Sequence, residues 1–149
     1  MGETDDDVRR KVGATLDAGL TLLLCVGEKT RTASAEHFNF VREQLRAGLA
    51  SAEKRISKVV IAYEPIWAIG ATEAMRPHDM HEMSIFIRKS VVEKFGEAGH
   101  SITILYGGSV DGKNAGDMMR NGDVKGLLVG RSSVDTEVFA ELLRAVNAA

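Results

Sequence analysis

The residue whose position most clearly predicts chemistry is Glu64, which follows a short apolar run. Residues 58–63, Lys-Val-Val-Ile-Ala-Tyr, are β-branched and lack strict alternation, as is typical of a strand buried on both faces of a parallel sheet. Glu64 is therefore expected at the carboxyl end of that strand, and Pro65 ends the strand and stiffens the turn. A carboxylate placed there can act as a general base.

The residues after Glu64 predict a lid over this carboxylate. Trp67 and Ile69 are large and apolar, and in a loop they would be exposed unless they close over something. The alternative is a salt-bridged glutamate in front of a buried tryptophan, because structural ion pairs also perturb carboxylates.

Two small loops predict a phosphate site. Residues 107–109 (Gly-Gly-Ser) and 130–133 (Gly-Arg-Ser-Ser) follow consecutive predicted strands, and such loops can present backbone N–H groups to a phosphate. In an eight-stranded (β/α) barrel, a phosphate site beside the last two strands recurs. Either loop alone indicates only a tight turn, but both together with a lidded glutamate form a stronger signal.

Helices and strands alternate along the chain. Strands are predicted at 21–26, 58–63, 102–106 and 126–129, and helices are predicted from about residues 4, 34, 77, 114 and 134. Four strands separated by helices predict a parallel α/β layout over residues 1–149, with no linker dividing it.

The composition mostly excludes classes of function. The chain has 149 residues, of which 44% are hydrophobic and 27% charged, as in one soluble globular domain. A net charge of −2 gives no attraction to nucleic acid or to an anionic membrane. No apolar run is long enough to span a bilayer and the start is acidic, so a cytoplasmic location is predicted. Cys25, the single cysteine, is expected to be a packed strand thiol, and the methionines are expected in the core.

Four segments, in this order, resemble the C-terminal part of the triosephosphate isomerase family. They are residues 2–28, from Gly-Glu-Thr-Asp to Cys-Val-Gly-Glu, then 62–70, 106–110 and 126–130. The string Ala-Tyr-Glu-Pro-Ile-Trp-Ala-Ile-Gly at 62–70 is highly specific. The resemblance implies a (β/α) half-barrel, formed by the last four strands of an eight-stranded barrel.

By this resemblance, Glu64 is the base that moves a proton between C1 and C2 of glyceraldehyde 3-phosphate and dihydroxyacetone phosphate. The lid runs from Pro65 through Ile66 and Trp67 to about Arg76, and Tyr106 and Ser109 hold it closed. The backbone around the phosphate is that of Gly70, Ser109, Gly130 and Arg131. The resemblance also implies a cytoplasmic homodimer of glycolysis and gluconeogenesis, which acts on a small phosphorylated sugar without metal or cofactor.

The family barrel has eight strands, and its first-strand lysine and fourth-strand histidine have no counterpart here. None of the four histidines, His37, His78, His81 and His100, matches the family's catalytic position. We therefore expect little activity from the chain alone, whether it is a fragment or a half-barrel by design. Two unpaired sheet edges favour pairing with a second copy or with an N-terminal half-barrel.

Two departures from the family pattern lie within the matched region. Residues 71–73 read Ala-Thr-Glu where the family usually has Thr-Gly-Lys, and Arg131 stands where many members have a second glycine. These departures leave open an isomerase of a four-carbon ketose phosphate. A catalytically inactive fragment and a non-catalytic phosphate-binding module are further alternatives.

Overall fold

The computed structural model describes residues 2–32, 34–71 and 74–149. Thr72 and Glu73, which carry the altered second hinge of the lid, lie outside the described residues. The chain forms strands β1 (Leu22–Val26), β2 (Val59–Tyr63) and β3 (Thr103–Tyr106), and helices α1 (Asp5–Asp17), α2 (Glu36–Gly48), α3 (Pro77–Phe95), α4 (Ala115–Asn121) and α5 (Thr136–Asn147). Short 3₁₀ turns occupy Glu53–Lys58, Ile66–Ala68, Gly96–Ser101 and Arg131–Ser133.

The three strands form one open parallel sheet in the order β1-β2-β3, which confirms the predicted α/β class. The register places Val26 beside Tyr63, and Tyr63 beside Tyr106, so the three strands end at the same level. Residues that directly follow these strands therefore meet at one edge of the sheet, where ligand sites of parallel α/β folds are found.

The expected fourth strand is shorter than predicted. Leu127 forms a single parallel bridge to Tyr106. Three backbone hydrogen bonds nevertheless hold this segment beside β3, because Lys125 N–H donates to Ile104 O at 2.8 Å, Tyr106 N–H to Gly126 O at 3.1 Å and Leu128 N–H to Tyr106 O at 2.8 Å. The segment therefore lies beside β3 and runs parallel to it, as predicted. Because it pairs on one side only, it forms a single bridge and not a full strand among the described residues.

The core lies between the sheet and the helices. In β1, burial alternates: Leu22, Leu24 and Val26 are buried, while Leu23 is 45% exposed. Cys25 is exposed on the same face as Leu23, so the prediction of a packed strand thiol is wrong. The sequence Leu-Leu-Leu-Cys-Val gives no sign of this difference, which arises because helices cover one face of the strand more than the other.

The helices begin where local chemistry predicts. Thr4 and Asp7 form the two reciprocal hydrogen bonds of a capping box at α1, and Pro77 occupies the first position of α3. Met80 and Met83 of α3 are fully buried, as expected of core methionines. In the described part of the chain, no helix has the length and apolar character needed to cross a membrane.

Candidate functional site

Glu64 lies at the edge where the strands end, and its backbone is fixed on both sides. Its N–H donates to Val26 O at 2.7 Å, and Gly107 N–H donates to Tyr63 O at 2.9 Å. These bonds continue the pairing of the sheet by one residue past the strand ends, so they set the direction in which the Glu64 side chain leaves the sheet.

Two glycines give Glu64 the space that it occupies. A Cβ atom on Gly27 would lie 2.1 Å from the Glu64 carbonyl oxygen. A Cβ atom on Gly107 would lie 2.6 Å from Glu64 Cγ and 2.9 Å from Oε1. Both distances are far below van der Waals contact, so any larger residue at either position would displace this glutamate.

The Cys25 thiol is the polar neighbour of the Glu64 carboxylate on β1. Although much of Cys25 is exposed, partial desolvation of its sulfur, a hydrogen bond to Glu64 and the charge of that carboxylate raise the pKa of the thiol to about 12. The thiolate is the nucleophilic form of cysteine, and this pKa keeps the thiol protonated at neutral pH. Cys25 is thus suited to contact Glu64 rather than to attack a substrate.

The first part of the lid is anchored to a buried carboxylate, Glu28. Only 2% of Glu28 is exposed. The Tyr63 hydroxyl lies 2.9 and 2.8 Å from its two oxygens, the Trp67 indole N–H donates to Oε1 at 2.8 Å, and Ile66 N–H donates to the Glu28 carbonyl at 2.9 Å. Trp67 is therefore bound at the base of the lid, two residues after the buried Pro65.

His37 and Arg31 lie beside this network, and the sequence did not indicate either of them as part of the site. His37 is 7% exposed, and neither ring nitrogen has a hydrogen-bond partner. Burial and then the positive charge of Arg31 lower the pKa of His37, while Glu28 and Glu82 oppose that shift. No motif joins these residues in sequence, so only an amphipathic count along α2, which puts His37 one turn before Val41, could have indicated that the histidine is buried.

The four residues predicted around a phosphate do come together. Gly70, Ser109, Gly130 and Arg131 all line one cavity of about 580 Å³ at the carboxyl edge of the sheet. The cavity is also lined by Ile69, Ala71, Ala74, Gly108, Val110, Asp111, Asn114, Ser132, Asp135 and Val138. Glu64 is not part of this lining, although its side chain lies against Gly107, the first residue of one of the two phosphate loops.

The backbone donors of this cavity differ in what they bind. Ser109 N–H donates to Ala68 O at 2.9 Å, and the Ser109 hydroxyl donates to Ala71 O at 2.9 Å. Within the described chain, the N–H groups of Gly70, Gly130 and Arg131 donate to no other group. Ser109 therefore connects to the lid on both sides of Gly70, and the other three N–H groups are available to a ligand.

Tyr106 lies beneath this loop rather than in the cavity. Its side chain is fully buried, and burial raises the pKa of its hydroxyl. No hydrogen bond of good geometry reaches the hydroxyl from the described residues, but the Met75 backbone in the lid lies close enough to lower its pKa against the effect of burial. A Cβ atom on Gly108 would lie 2.0 Å from this oxygen, so the glycine is required for the close approach of ring and loop.

Charged groups in the cavity are unequally engaged. Asp111 Oδ1 accepts from the N–H groups of Lys113 at 2.9 Å and Asn114 at 3.2 Å. Asp135 Oδ1 accepts from the N–H groups of Glu137 and Val138 in the first turn of α5, both at 3.0 Å. The Arg131 guanidinium lies beside Gly70, with Nη2 3.2 Å from where a Cβ atom would be. Arg131 forms no ion pair with any described residue.

Lysine and histidine are missing from the cavity lining among the described residues. His78, His81 and His100 are exposed, and His37 is buried beside Arg31. Within the same residues, no group of three or more histidine, cysteine, aspartate or glutamate side chains is arranged to hold a metal ion.

Comparison with known proteins gives one consistent result. A family model described as "Triosephosphate isomerase" matches residues 1–146. Among curated proteins, a triosephosphate isomerase of Granulibacter bethesdensis is 41% identical over 145 residues, which are 97% of this chain and 58% of the relative. That of Geobacter metallireducens is 41% identical over 146 residues, covering 96% and 58%. That of Endomicrobium trichonymphae is 39% identical over 146 residues, covering 97% and 58%. The chain thus spans somewhat over half the length of these relatives.

Proposed function

Because this chain belongs to the triosephosphate isomerase family, we propose that it supplies the base and the phosphate loops of an aldose–ketose isomerase acting on triose phosphates. The observation that carries the proposal is the position of Glu64, held at the carboxyl edge of the sheet between Gly27 and Gly107. A carboxylate on rigid elements beside anion-binding loops is the arrangement that proton transfer next to a carbonyl requires.

In the proposed reaction, Glu64 takes a proton from C1 of dihydroxyacetone phosphate, and electron density moves onto the oxygen of C2. The hydroxyl proton on C1 moves to the oxygen on C2, and Glu64 returns its proton to C2. The product is glyceraldehyde 3-phosphate, so atoms and charge balance without any co-reactant. A base of this kind contributes roughly 10²- to 10⁴-fold to a rate.

The phosphate loops position the reacting carbons in this proposal. The unbonded N–H groups of Gly70, Gly130 and Arg131 bind the phosphate oxygens, and Ser109 holds the lid segment next to them. Fixing the phosphate converts proton abstraction into a reaction between held groups and helps to exclude water. Binding the phosphate must also bring C1 to Glu64, which lies outside the present cavity lining.

The proposal also needs an electrophile opposite Glu64, because charge develops on the carbonyl oxygen. No lysine or histidine among the described residues lines the cavity. Isomerase activity is therefore measured on two forms of the protein. One is the chain alone, and the other is the chain combined with the part of the Geobacter metallireducens relative that has no counterpart in it.

The test is Glu64→Gln in the form that shows activity. We expect kcat to fall by about 10²- to 10⁴-fold, while affinity for inorganic phosphate changes less than about twofold, because the base is lost and the loops remain. Glu97→Gln, at an exposed residue outside the site, is the matched control and should retain wild-type kcat. Turnover of Glu64→Gln close to wild type would remove Glu64 from the mechanism.

A phosphate-binding module without turnover is the second candidate. It is favoured by one observation, namely that the cavity formed by the phosphate loops does not include Glu64. Inorganic phosphate that binds at Gly70, Gly130 and Arg131, with no isomerase activity in either form, would support this candidate. Backbone amide shifts in NMR spectra report such binding directly.

A further inference from the structure

We propose that the guanidinium of Arg131 is itself a phosphate ligand of this cavity. The inference rests on the proposed function because it concerns the same site, and it adds a specificity-determining side chain to backbone donors. It follows from the position of the guanidinium, from the bonding of the neighbouring charges and from the chemistry of the donor.

The guanidinium lies at the lid, next to the unbonded backbone donors. Gly70 has φ +68°, a left-handed conformation that favours glycine, and Arg131 Nη2 approaches to 3.2 Å from the place of a Cβ atom. Arg131 is also the first residue of the turn Arg131–Ser133, and its backbone N–H in the cavity lining donates to no described residue. Arg131 thus offers both a backbone and a side-chain donor next to Gly70.

The charges of the cavity leave this cation available. Arg131 is the one basic residue in the described lining, which also holds Asp111 and Asp135. Each of these carboxylates already accepts two backbone N–H bonds at the beginning of α4 or α5, the former through Lys113 and Asn114. None of the ion pairs among the described residues includes Arg131, Asp111 or Asp135. An anion entering the cavity therefore finds a guanidinium that is not neutralised by a described residue.

Guanidinium chemistry determines which anion is preferred. Its parallel N–H donors match two oxygens of a phosphate, and such charge-assisted bonds are stronger than those from neutral amides. A fixed positive charge also favours the dianion over the monoanion of a phosphate ester, whose second pKa is about 6. Inorganic phosphate loses its second proton closer to neutrality than an ester does, so its affinity should rise with pH between 5 and 8, whereas sulfate, a dianion throughout, should bind without that dependence.

The experiment measures binding of inorganic phosphate and sulfate by calorimetry, from pH 5 to 8 and at low ionic strength. The wild-type chain is compared with Arg131→Gln, Arg131→Lys and the control Arg144→Gln, which removes an exposed arginine of α5. We expect Arg131→Gln to weaken phosphate binding about tenfold or more. Arg131→Lys should keep part of the affinity, since it retains charge without the paired donors, and Arg144→Gln should stay within about twofold of wild type.

Binding of phosphate by Arg131→Gln within about twofold of wild type would overturn the inference, and so would a wild-type chain that binds neither anion. The first result would mean that backbone donors suffice, as expected if Arg131 instead pairs with Glu73. Circular dichroism establishes that each variant is folded. Because no turnover is measured, Arg131-dependent binding without isomerase activity would sustain this inference while the proposed function fails.

Discussion

The start of the lid and the segment at Gly70 differ in how they are bonded. At the start, Trp67 and Ile66 bind Glu28, whose carboxylate is buried and also accepts from Tyr63. Farther along, Gly70 borders an open cavity and its N–H donates to no described residue, although Ser109 binds the carbonyls of Ala68 and Ala71 on either side of it. The segment at Gly70 is therefore the part of the lid that can form new bonds to a ligand without breaking existing ones.

Solvation explains the contrast. A buried carboxylate without partners is costly, so Glu28 requires its two side-chain donors, Tyr63 and Trp67, to remain in place. A backbone N–H that faces an open cavity is bonded to water instead, and leaving it without a protein partner costs little. The structure thus combines a fixed start of the lid with unbonded N–H donors at Gly70, Gly130 and Arg131 that a phosphate can bind.

The largest expected effect on stability comes from removing the anchor at the start of the lid. Glu28→Ala leaves the buried Tyr63 hydroxyl and the Trp67 N–H without their acceptor, so we expect the free energy of unfolding to fall by about 3 kcal/mol. Urea unfolding followed by tryptophan fluorescence measures it, with Glu97→Ala as the exposed control. A loss below about 1 kcal/mol would show that the network does not hold the lid.

Smaller effects on stability are expected from two variants that compare the start of the lid with the segment next to Gly70. Trp67→Phe keeps the aromatic packing but removes the bond to Glu28, and it should lower the free energy of unfolding by about 1.5 kcal/mol. Ile69→Ala, at a side chain that is 54% exposed, should change it by less than about 0.5 kcal/mol. Equal losses of stability in the two variants would contradict the conclusion that the start of the lid is bonded more firmly than the segment next to Gly70.

The pH dependence of stability sharpens the description of the start of the lid. The pKa of His37 is lowered in the folded state by burial and by Arg31, against the opposing charges of Glu28 and Glu82. The unfolded chain therefore takes up this proton first as pH falls through about 6.5, and stability contributed by neutral His37 is lost in that range. His37→Phe should flatten the decline in unfolding free energy between pH 7 and 5, whereas His100→Gln should leave it unchanged.

The smallest effect concerns the chemistry beside Glu64. With a pKa of about 12, Cys25 should react with iodoacetamide at pH 8 at least about a hundredfold more slowly than free cysteine, despite its exposure. Glu64→Gln removes the charge that helps to raise this pKa, and it should accelerate the reaction. A rate equal to that of free cysteine would indicate that Glu64 does not contact the thiol.

Much of the fold could be predicted because its signals are local. The capping box of Thr4 and Asp7 marks the start of α1, and the β-branched run before Glu64 marks β2. The glycines at 107, 108 and 130 mark turns after the later strands. Cys25 was misjudged because the covering of a strand face depends on elements far away in sequence. The preference for a three- or four-carbon substrate stays a prediction, since its signal lies partly at Thr72 and Glu73, outside the described residues.

By itself, the sequence determined the order of helices and strands and the placing of Glu64 at a strand end, because periodicity and turn chemistry act over a few residues. Only the tertiary structure decided that Glu28 binds Tyr63 and Trp67, which follow it by 35 and 39 residues. It likewise decided that Arg131 lies against Gly70. These contacts depend on parallel register and on which loops share one edge of the sheet, and no local pattern encodes either.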